Sequence, residues 1–309
     1  MDLVSIVIPT LNRPKCLKRA VESAQNQIAL QDVEIEIIVV DNSPDGNARA
    51  AIASLPGAGP AVRLLNEPRP GVANARNMGV AAARGRWVAF LDDDEEAEPV
   101  WIARLAAAAR RTGADAVFGP IEAKSDGDQA IGWFSPYFSR AIDRADGCDI
   151  TDLAAYLGTN NSMFDRLRCL DEAEPFNPSL NEVGGEDSLL LKRLVMNGRR
   201  FAFAAEAVVV EWASVRRLNW AYIRKRKFLS GQIRVFVHHM VRPAQWDRIA
   251  LWMAVGLAQF CVGGASALLL WPFDRHRAAR AAATACGGLG KILWTSRFRP
   301  ALYGAGLIS

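Results

Sequence analysis

The chain alternates short apolar runs with segments of helical spacing. Residues 4–8 form an apolar run closed by Pro9, which reads as a buried strand. Pro14 suits a first helical turn, and Leu17, Ala20, Val21 and Ala24 then recur at helical spacing, predicting a helix over 15–27. Residues 34–40 alternate and then become fully apolar, a second strand that ends in DNSPDG, which is turn chemistry. A weaker strand at 62–65, an Ala-rich helix over 71–83, a strand at 86–91, a helix over 100–111 and a short strand at 116–118 follow. Strands alternating with helices predict an α/β fold, a mostly parallel sheet covered on both faces. Ligands of such sheets bind beyond the carboxyl ends of the strands.

Three strand ends therefore carry the candidate chemistry: Pro9-Thr10-Leu11-Asn12, Asp41-Asn42-Ser43 and Asp92-Asp93-Asp94. The last stands in FLDDDEEAEP, residues 90–99. Like charges repel and resist burial, so three aspartates ending a buried strand ask for a cation or a polar ligand. Glu95, Glu96 and Glu98 have a plainer reading, since acidic residues favour the start of a helix at Pro99. Asp-x-Asp suits a hard divalent ion, Mg²⁺ or Mn²⁺, which keeps places for waters and a substrate diphosphate. The other aspartate is then free to accept from a ribose hydroxyl, so the expected ligand is a nucleotide diphosphate derivative. No Walker phosphate loop is present, and Gly57-Ala58-Gly59 runs into Pro60 without opening a helix. A second acidic point, GGEDSLLLKRL at 184–194, places Glu186 and Asp187 at a helix start. A carboxylate there is either a helix cap or a general base aimed at a substrate hydroxyl.

Composition adds a division of labour. Half of the 309 residues are hydrophobic and 23% are charged, a globular balance tilted towards apolar. Residues 211–309 hold 15 Lys/Arg against 3 Asp/Glu, whereas the preceding 210 hold 22 against 30. The five cysteines form no CxxC pair, so free thiols in a reducing compartment are expected rather than disulfides or a zinc site. MDLVSIVIPT has neither a basic start nor a long apolar run and does not read as a signal peptide.

Taken in order, SIVIPTLNRPKCLKRAVESAQNQ, EIIVVDNSPDG, RPGVANARNMGVAAARGRWVAFLDDDEE, GTNNSMF and GGEDSLLLKRLVMNGRR resemble the inverting GT-A glycosyltransferases of family 2 over about residues 4–230. Among relatives the chain looks most like bacterial enzymes that add single sugars to exopolysaccharide or lipid-linked oligosaccharide precursors. The resemblance implies a metal-dependent transfer from a nucleotide-diphosphate sugar, a UDP-sugar above others. It implies that Pro9, Thr10 and Asn12 border the base, that Asp41 accepts from it, and that Asn74 and Arg76 line the nucleotide cleft. Asp92 and Asp93 would bind the donor, Asp92 at the ribose, and Asp94 would hold Mg²⁺ or Mn²⁺ at the diphosphate. Asp187 would deprotonate the acceptor, with Glu186 beside it, and Asn161 would face the donor sugar or acceptor. Arg224 and Arg226 are further candidates for the diphosphate. The chain lacks the QxxRW motif of processive synthases, so single addition is expected over polymerisation. Where some relatives carry a metal-binding histidine it has Val210-Glu211-Trp212, and His238-His239 reads as a surface or membrane-interface pair. Transfer onto polyprenyl phosphate, and a non-catalytic nucleotide-sugar-binding or scaffold subunit, are the alternatives.

The basic end divides from the catalytic region at about residue 235, giving domains 1–235 and 236–309. Within it, residues 249–273 carry no charge. As a helix they would extend ~37 Å, beyond the ~30 Å hydrocarbon core. Trp252 and Trp271 stand near its ends as interfacial anchors do, and arginines flank both sides, so the charges favour neither orientation. Residues 278–303 suit an amphipathic helix on anionic lipid better than a second span. The expectation is a membrane-associated enzyme at the cytoplasmic face of a bacterial inner membrane, with a lipid-linked saccharide acceptor. Nucleic acid is not an expected partner, because it would leave the uncharged run unexplained.

Overall fold

A computed structural model describes residues 2–57 and 59–298. Ala58 of the Gly57-Ala58-Gly59 run and residues 299–303 of the expected 278–303 segment lie outside the described residues.

The first half runs β1 (Asp2–Thr10), α1 (Pro14–Gln25), β2 (Val33–Asp41), α2 (Ala48–Ala53), β3 (Val62–Asn66), α3 (Val72–Ala82), β4 (Trp87–Phe90), β5 (Glu95–Ala97) and α4 (Trp101–Thr112). It continues with β6 (Ala116–Phe118), β7 (Ile121–Ser125), α5 (Ser135–Phe138), β8 (Ser162–Asp165) and α6 (Arg166–Cys169). The second half holds α7 (Glu186–Met196), β9 (Phe201–Phe203), β10 (Val209–Ala213), α8 (Trp220–Met240), α9 (Trp246–Leu270) and α10 (Arg275–Ile292).

Seven strands form the main sheet in the order β3-β2-β1-β4-β8-β6-β9. It is parallel except at β8, which pairs antiparallel with both β4 and β6. Alternate side chains of the buried strands feed two cores. Ile6, Ile8, Ile37 and Val39 pack with Leu17, Val21, Trp101 and Leu105 of α1 and α4 on one face. Val7, Ile38, Val40 and Phe90 pack with Leu190, Leu191 and Leu194 of α7 on the other. This period of two, apolar on both faces, is what a sheet covered by helices requires. The strand order reverses between β1 and β4, which run parallel, so their carboxyl ends open a crevice at the centre of the sheet.

A second sheet, β5-β10-β7, contributes Glu211 and Ile121 to the cleft. It corrects the reading of Glu95 and Glu96 as helix-start charges: they lie in β5, and α4 begins at Trp101 with no acidic residue in its first turn. β5 pairs with β10 so that Glu95 faces Glu211, and the Trp212 N–H donates to the Asp94 carbonyl at 2.8 Å.

The expected division at residue 235 falls inside α8. α9 turns at residues 271–274 and α10 returns antiparallel to it, packed on α8. Small residues make that approach possible. A Cβ at Gly288 would lie 2.5 Å from the Gly256 carbonyl oxygen and 2.6 Å from the Phe260 nitrogen. The small-residue face of α10 (Ala283, Ala285, Gly287, Gly288) is therefore occupied by α8 and α9 and not free for lipid, contrary to the amphipathic reading. α9 is the one helix among the described residues long and apolar enough to cross a membrane.

Candidate active site

The strand ends converge as the topology predicts. Thr10 pairs with Asp41 in register, and its hydroxyl donates to Asp93 Oδ2 at 2.8 Å. Arg13, at the entry to α1, donates through Nη1 to Asp93 Oδ1 and Asp94 Oδ2, both at 3.0 Å. Arg217, in the loop after β10, reaches the same Asp94 Oδ2 at 2.9 Å. Arg76 of α3 crosses the crevice. Its Nη2 donates to Asp92 Oδ1 at 3.1 Å and its Nη1 to Glu186 Oε1 at 2.7 Å. One buried guanidinium thus ties the aspartate triplet to the acidic start of α7, two motifs far apart in the chain.

That start is shaped by glycine. Gly185, the residue before α7, has φ 93°, a left-handed conformation that strains any side chain. Gly185 occupies the N-cap position and has no side chain to cap the helix. Glu186 is buried and tied to Arg76, and burial, with Asp187 beside it, pushes its carboxyl up to about 7. Asp187 is half-buried. Its Oδ1 accepts from the Ser188 N–H at 2.6 Å, and its Oδ2 faces Gly158, where a Cβ would come within 3.2 Å.

A cleft of about 1610 Å³ joins these groups, lined by Pro9, Thr10 and Asn12 at one end and by α8 at the other. Its floor is strongly acidic. Burial raises Asp93 to about 6 against the pull of Arg13, and raises Glu211 to about 7 with the Asp94 charge adding to it. Glu95 is fully enclosed, accepting from the Asp92 N–H and from Asn160 Nδ2, both at 2.9 Å, and burial holds it well above the usual carboxylate range. The donor set fits a hard divalent cation. Asp92, Asp94 and Glu211 offer only carboxylate oxygens, and their excess charge is of the kind a cation relieves. As placed, no three such side chains converge among the described residues, and Arg13 and Arg217 supply the positive charge at Asp94.

Several expected roles change. Asp41 is buried and does not line the cleft; its Oδ1 accepts from the Ser43 N–H and hydroxyl and its Oδ2 from the Ala48 N–H, so it builds the turn. Asn161 has left-handed φ 44° and is fully buried. It accepts from Trp101 Nε1 and donates to the Pro120 and Ala207 carbonyls, so it braces the loop rather than facing a sugar. Asn74 donates to the Arg69 and Pro70 carbonyls and holds the entry to α3 without lining the cleft. Arg226 lines the cleft and Arg224 does not. His238 is not a surface residue: it is buried, with Nδ1 2.8 Å from Gln245 Oε1. Sequence reasoning missed Arg13, Arg140, Asn160, Glu95, Glu211 and Arg217. Arg140 gathers the Gly119, Asn160 and Asn161 carbonyls and so shapes the loop that presents Asn160.

The chain is similar to proteins already known. Residues 5–166 match the family model described as Glycosyl transferase family 2. The succinoglycan biosynthesis protein ExoM of Rhizobium meliloti (strain 1021) is 31% identical over 232 residues, 74% of this chain and 73% of its own. The GalNAc(5)-diNAcBac-PP-undecaprenol beta-1,3-glucosyltransferase of Campylobacter jejuni is 33% identical over a shorter stretch, 31% of each chain. The crystal structure of S. aureus TarS 1–349 in complex with UDP superposes with a TM-score of 0.54 at 17% identity, over 94% of this chain and 90% of that one.

Proposed function

The chain belongs to glycosyl transferase family 2, and from that premise we propose that it moves one sugar, with inversion, from a UDP-sugar to a hydroxyl of a lipid-linked polysaccharide precursor. The observation that carries this reading is the Arg76 bridge, which sets the aspartate triplet and the Glu186–Asp187 pair around one cleft. The succinoglycan and undecaprenol-diphosphate names of two relatives support the precursor and its lipid.

The division of roles follows from geometry. Glu186 spends its carboxylate on Arg76, so Asp187, whose Oδ2 is free of hydrogen bonds, takes the acceptor proton. The activated oxygen attacks the anomeric carbon opposite the leaving diphosphate. Arg226, with Arg13 and Arg217, stands where negative charge grows on that group, and fixed cations there stabilise the transition state. A Mg²⁺ or Mn²⁺ held by Asp94, beside Asp92 and Glu211, would neutralise the same charge. Thr10 and Asn12 border the nucleoside end. α9, whose Val262, Leu268 and Leu269 are 68%, 79% and 72% exposed, holds the enzyme on the cytoplasmic face of the inner membrane.

The test is a panel of nucleotide sugars offered with Mn²⁺ to wild type and Asp187→Asn. Donor-dependent transfer in wild type, absent from the variant while UDP affinity stays, supports the reading. Absence of nucleotide-sugar binding by wild type rejects it.

A further inference from the structure

The cleft does not end at the acidic floor. It continues along α8, where Arg226, Ser230, Ile233, Arg234 and Val237 line it at intervals of three and four residues and so share one face of the helix. Arg226 and Arg234 are two turns apart, about 12 Å along the axis. At the far end the sign of the charge reverses. Arg234 makes no ion pair among the described residues, and its Nη1 is buried without a hydrogen-bond partner. Its guanidinium carbon lies over two rings, 4.2 Å from the Tyr156 centroid and 5.3 Å from that of Trp252. Contacts of this kind hold the cation in place without using its N–H groups, and Nη1 stays open to a ligand. Lys192 of α7 lines the same end and has no ion pair among the described residues. Asp247, the carboxylate whose field reaches Lys192, is exposed and lies 3.6 Å from Arg248. Burial holds both Arg234 and Lys192 below their ordinary values, as befits cations lacking a counter-ion. A partly buried cation whose Nη1 is enclosed and unpaired is costly to keep unless something anionic visits it.

Trp252 belongs to α9, the helix whose outer surface is apolar. An anion on Arg234 would therefore sit one side chain from a hydrocarbon-binding face and in the same cleft as Asp187. We propose that Arg234, with Lys192 lining the same cleft, binds the phosphate or diphosphate linker of a lipid-borne acceptor, whose sugar points towards Asp187 and whose hydrocarbon runs along α9. This deepens the glycosyltransferase reading and rests on it. Arg234 is a binding residue for the acceptor and takes no part in the donor's chemistry.

The test uses full-length protein in detergent micelles with UDP saturating the donor end. Farnesyl diphosphate is the probe, inorganic pyrophosphate and farnesol are the controls, and quenching of tryptophan fluorescence is the signal. Wild type should bind farnesyl diphosphate well ahead of either control. Arg234→Gln should bind it about ten- to a hundred-fold more weakly, the effect of losing a charge-assisted hydrogen bond. UDP affinity should be unchanged, and Arg234→Lys should recover part of the loss. Equal farnesyl diphosphate affinity in wild type and Arg234→Gln overturns the site. Pyrophosphate binding as tightly as farnesyl diphosphate overturns the lipid-borne ligand in favour of a free phosphate compound. If Arg234→Gln does not fold, Lys192→Gln carries the same comparison from the α7 side of the cleft. Failure of the glycosyltransferase reading shows separately, as wild type that binds no UDP-sugar.

Discussion

Replacing Arg76 by Gln tests the bridge that unites the two acidic motifs. The two bonds it breaks are unequal. The Asp92 side chain is 31% exposed, so water takes up most of its loss, whereas Glu186 is 7% exposed and has no such recourse. Losing a hydrogen bond to a charged group costs about 1.5–3 kcal/mol. The pH adds a second component. Burial already raises Glu186 to about 7, and Arg76 opposes that rise, so without Arg76 the folded-state value moves further up. A carboxyl whose folded pKa exceeds its unfolded value penalises the fold as pH rises past the unfolded value, and the penalty levels off only beyond the folded pKa. In the variant it therefore keeps growing above pH 7, at about 1.4 kcal/mol per unit, where that of wild type levels off. At pH 6 Glu186 is mostly neutral in both proteins and only the lost hydrogen bond remains. The expected destabilisation is about 3 kcal/mol at pH 8 and about half that at pH 6. For a chain of this size that lowers the melting temperature by roughly 6 °C and 3 °C. Thermal unfolding in detergent at both pH values is the assay. A shift equal at the two pH values, or under about 2 °C at pH 8, would refute the coupling of Arg76 to a high-pKa Glu186.

Four further outcomes are expected. Asp187→Asn keeps the contact with the Ser188 N–H, so stability should hold within about 1 kcal/mol while transfer falls by ~10²–10⁴, read as melting temperature and rate on one preparation. Asp94→Asn removes the carboxylate shared by Arg13 and Arg217, and should abolish Mn²⁺-dependent transfer while leaving the melting temperature near that of wild type. Leu268→Lys combined with Leu269→Lys should move the protein from the membrane to the soluble fraction. Each buried leucine contributes about 2 kcal/mol to partition, and neither side chain supports the fold. Gly288→Val should separate α10 from α9 and destabilise by about 3 kcal/mol or more, because the added atoms meet backbone and not flexible side chains.

The rim of the main sheet was legible because its signal is local. Each strand end is an apolar run followed at once by polar residues, and parallel pairing brings such ends together without further information. The second sheet had no such signal. β5 is three residues long and reads Glu-Glu-Ala, and it becomes a strand only because β10, more than a hundred residues later, pairs with it. Glu95 therefore looked like a helix-start charge when it is an enclosed part of the floor. Arg217 was invisible for a related reason: it meets Asp94 across 123 residues of sequence, and nothing around it marks a loop that folds back. Asp41 and Asn161 illustrate a different limit. A carboxylate that recognises a base and one that closes a turn are the same residue type at the same strand end. Only the partners each finds in the folded chain separate them.

Helix α8 ties the two halves of the molecule together. One of its faces lines the cleft from Arg226 to Val237, and another receives α10, so closely that a Cβ at Gly231 would lie 2.2 Å from the Gly287 carbonyl oxygen. α9 is in turn fastened to α10 through Gly256 and Gly288. The apolar surface of α9 thus cannot shift relative to the cleft without moving α8, and with it the arginines that face the substrate. A flexible anchor would hold the enzyme near lipid and leave the acceptor to find the cleft by diffusion. A rigid one fixes the height of Asp187 above the apolar face, and the same effect of fixed geometry that accelerates reactions between bound groups then selects acceptors by the distance between their hydrocarbon and their reactive hydroxyl.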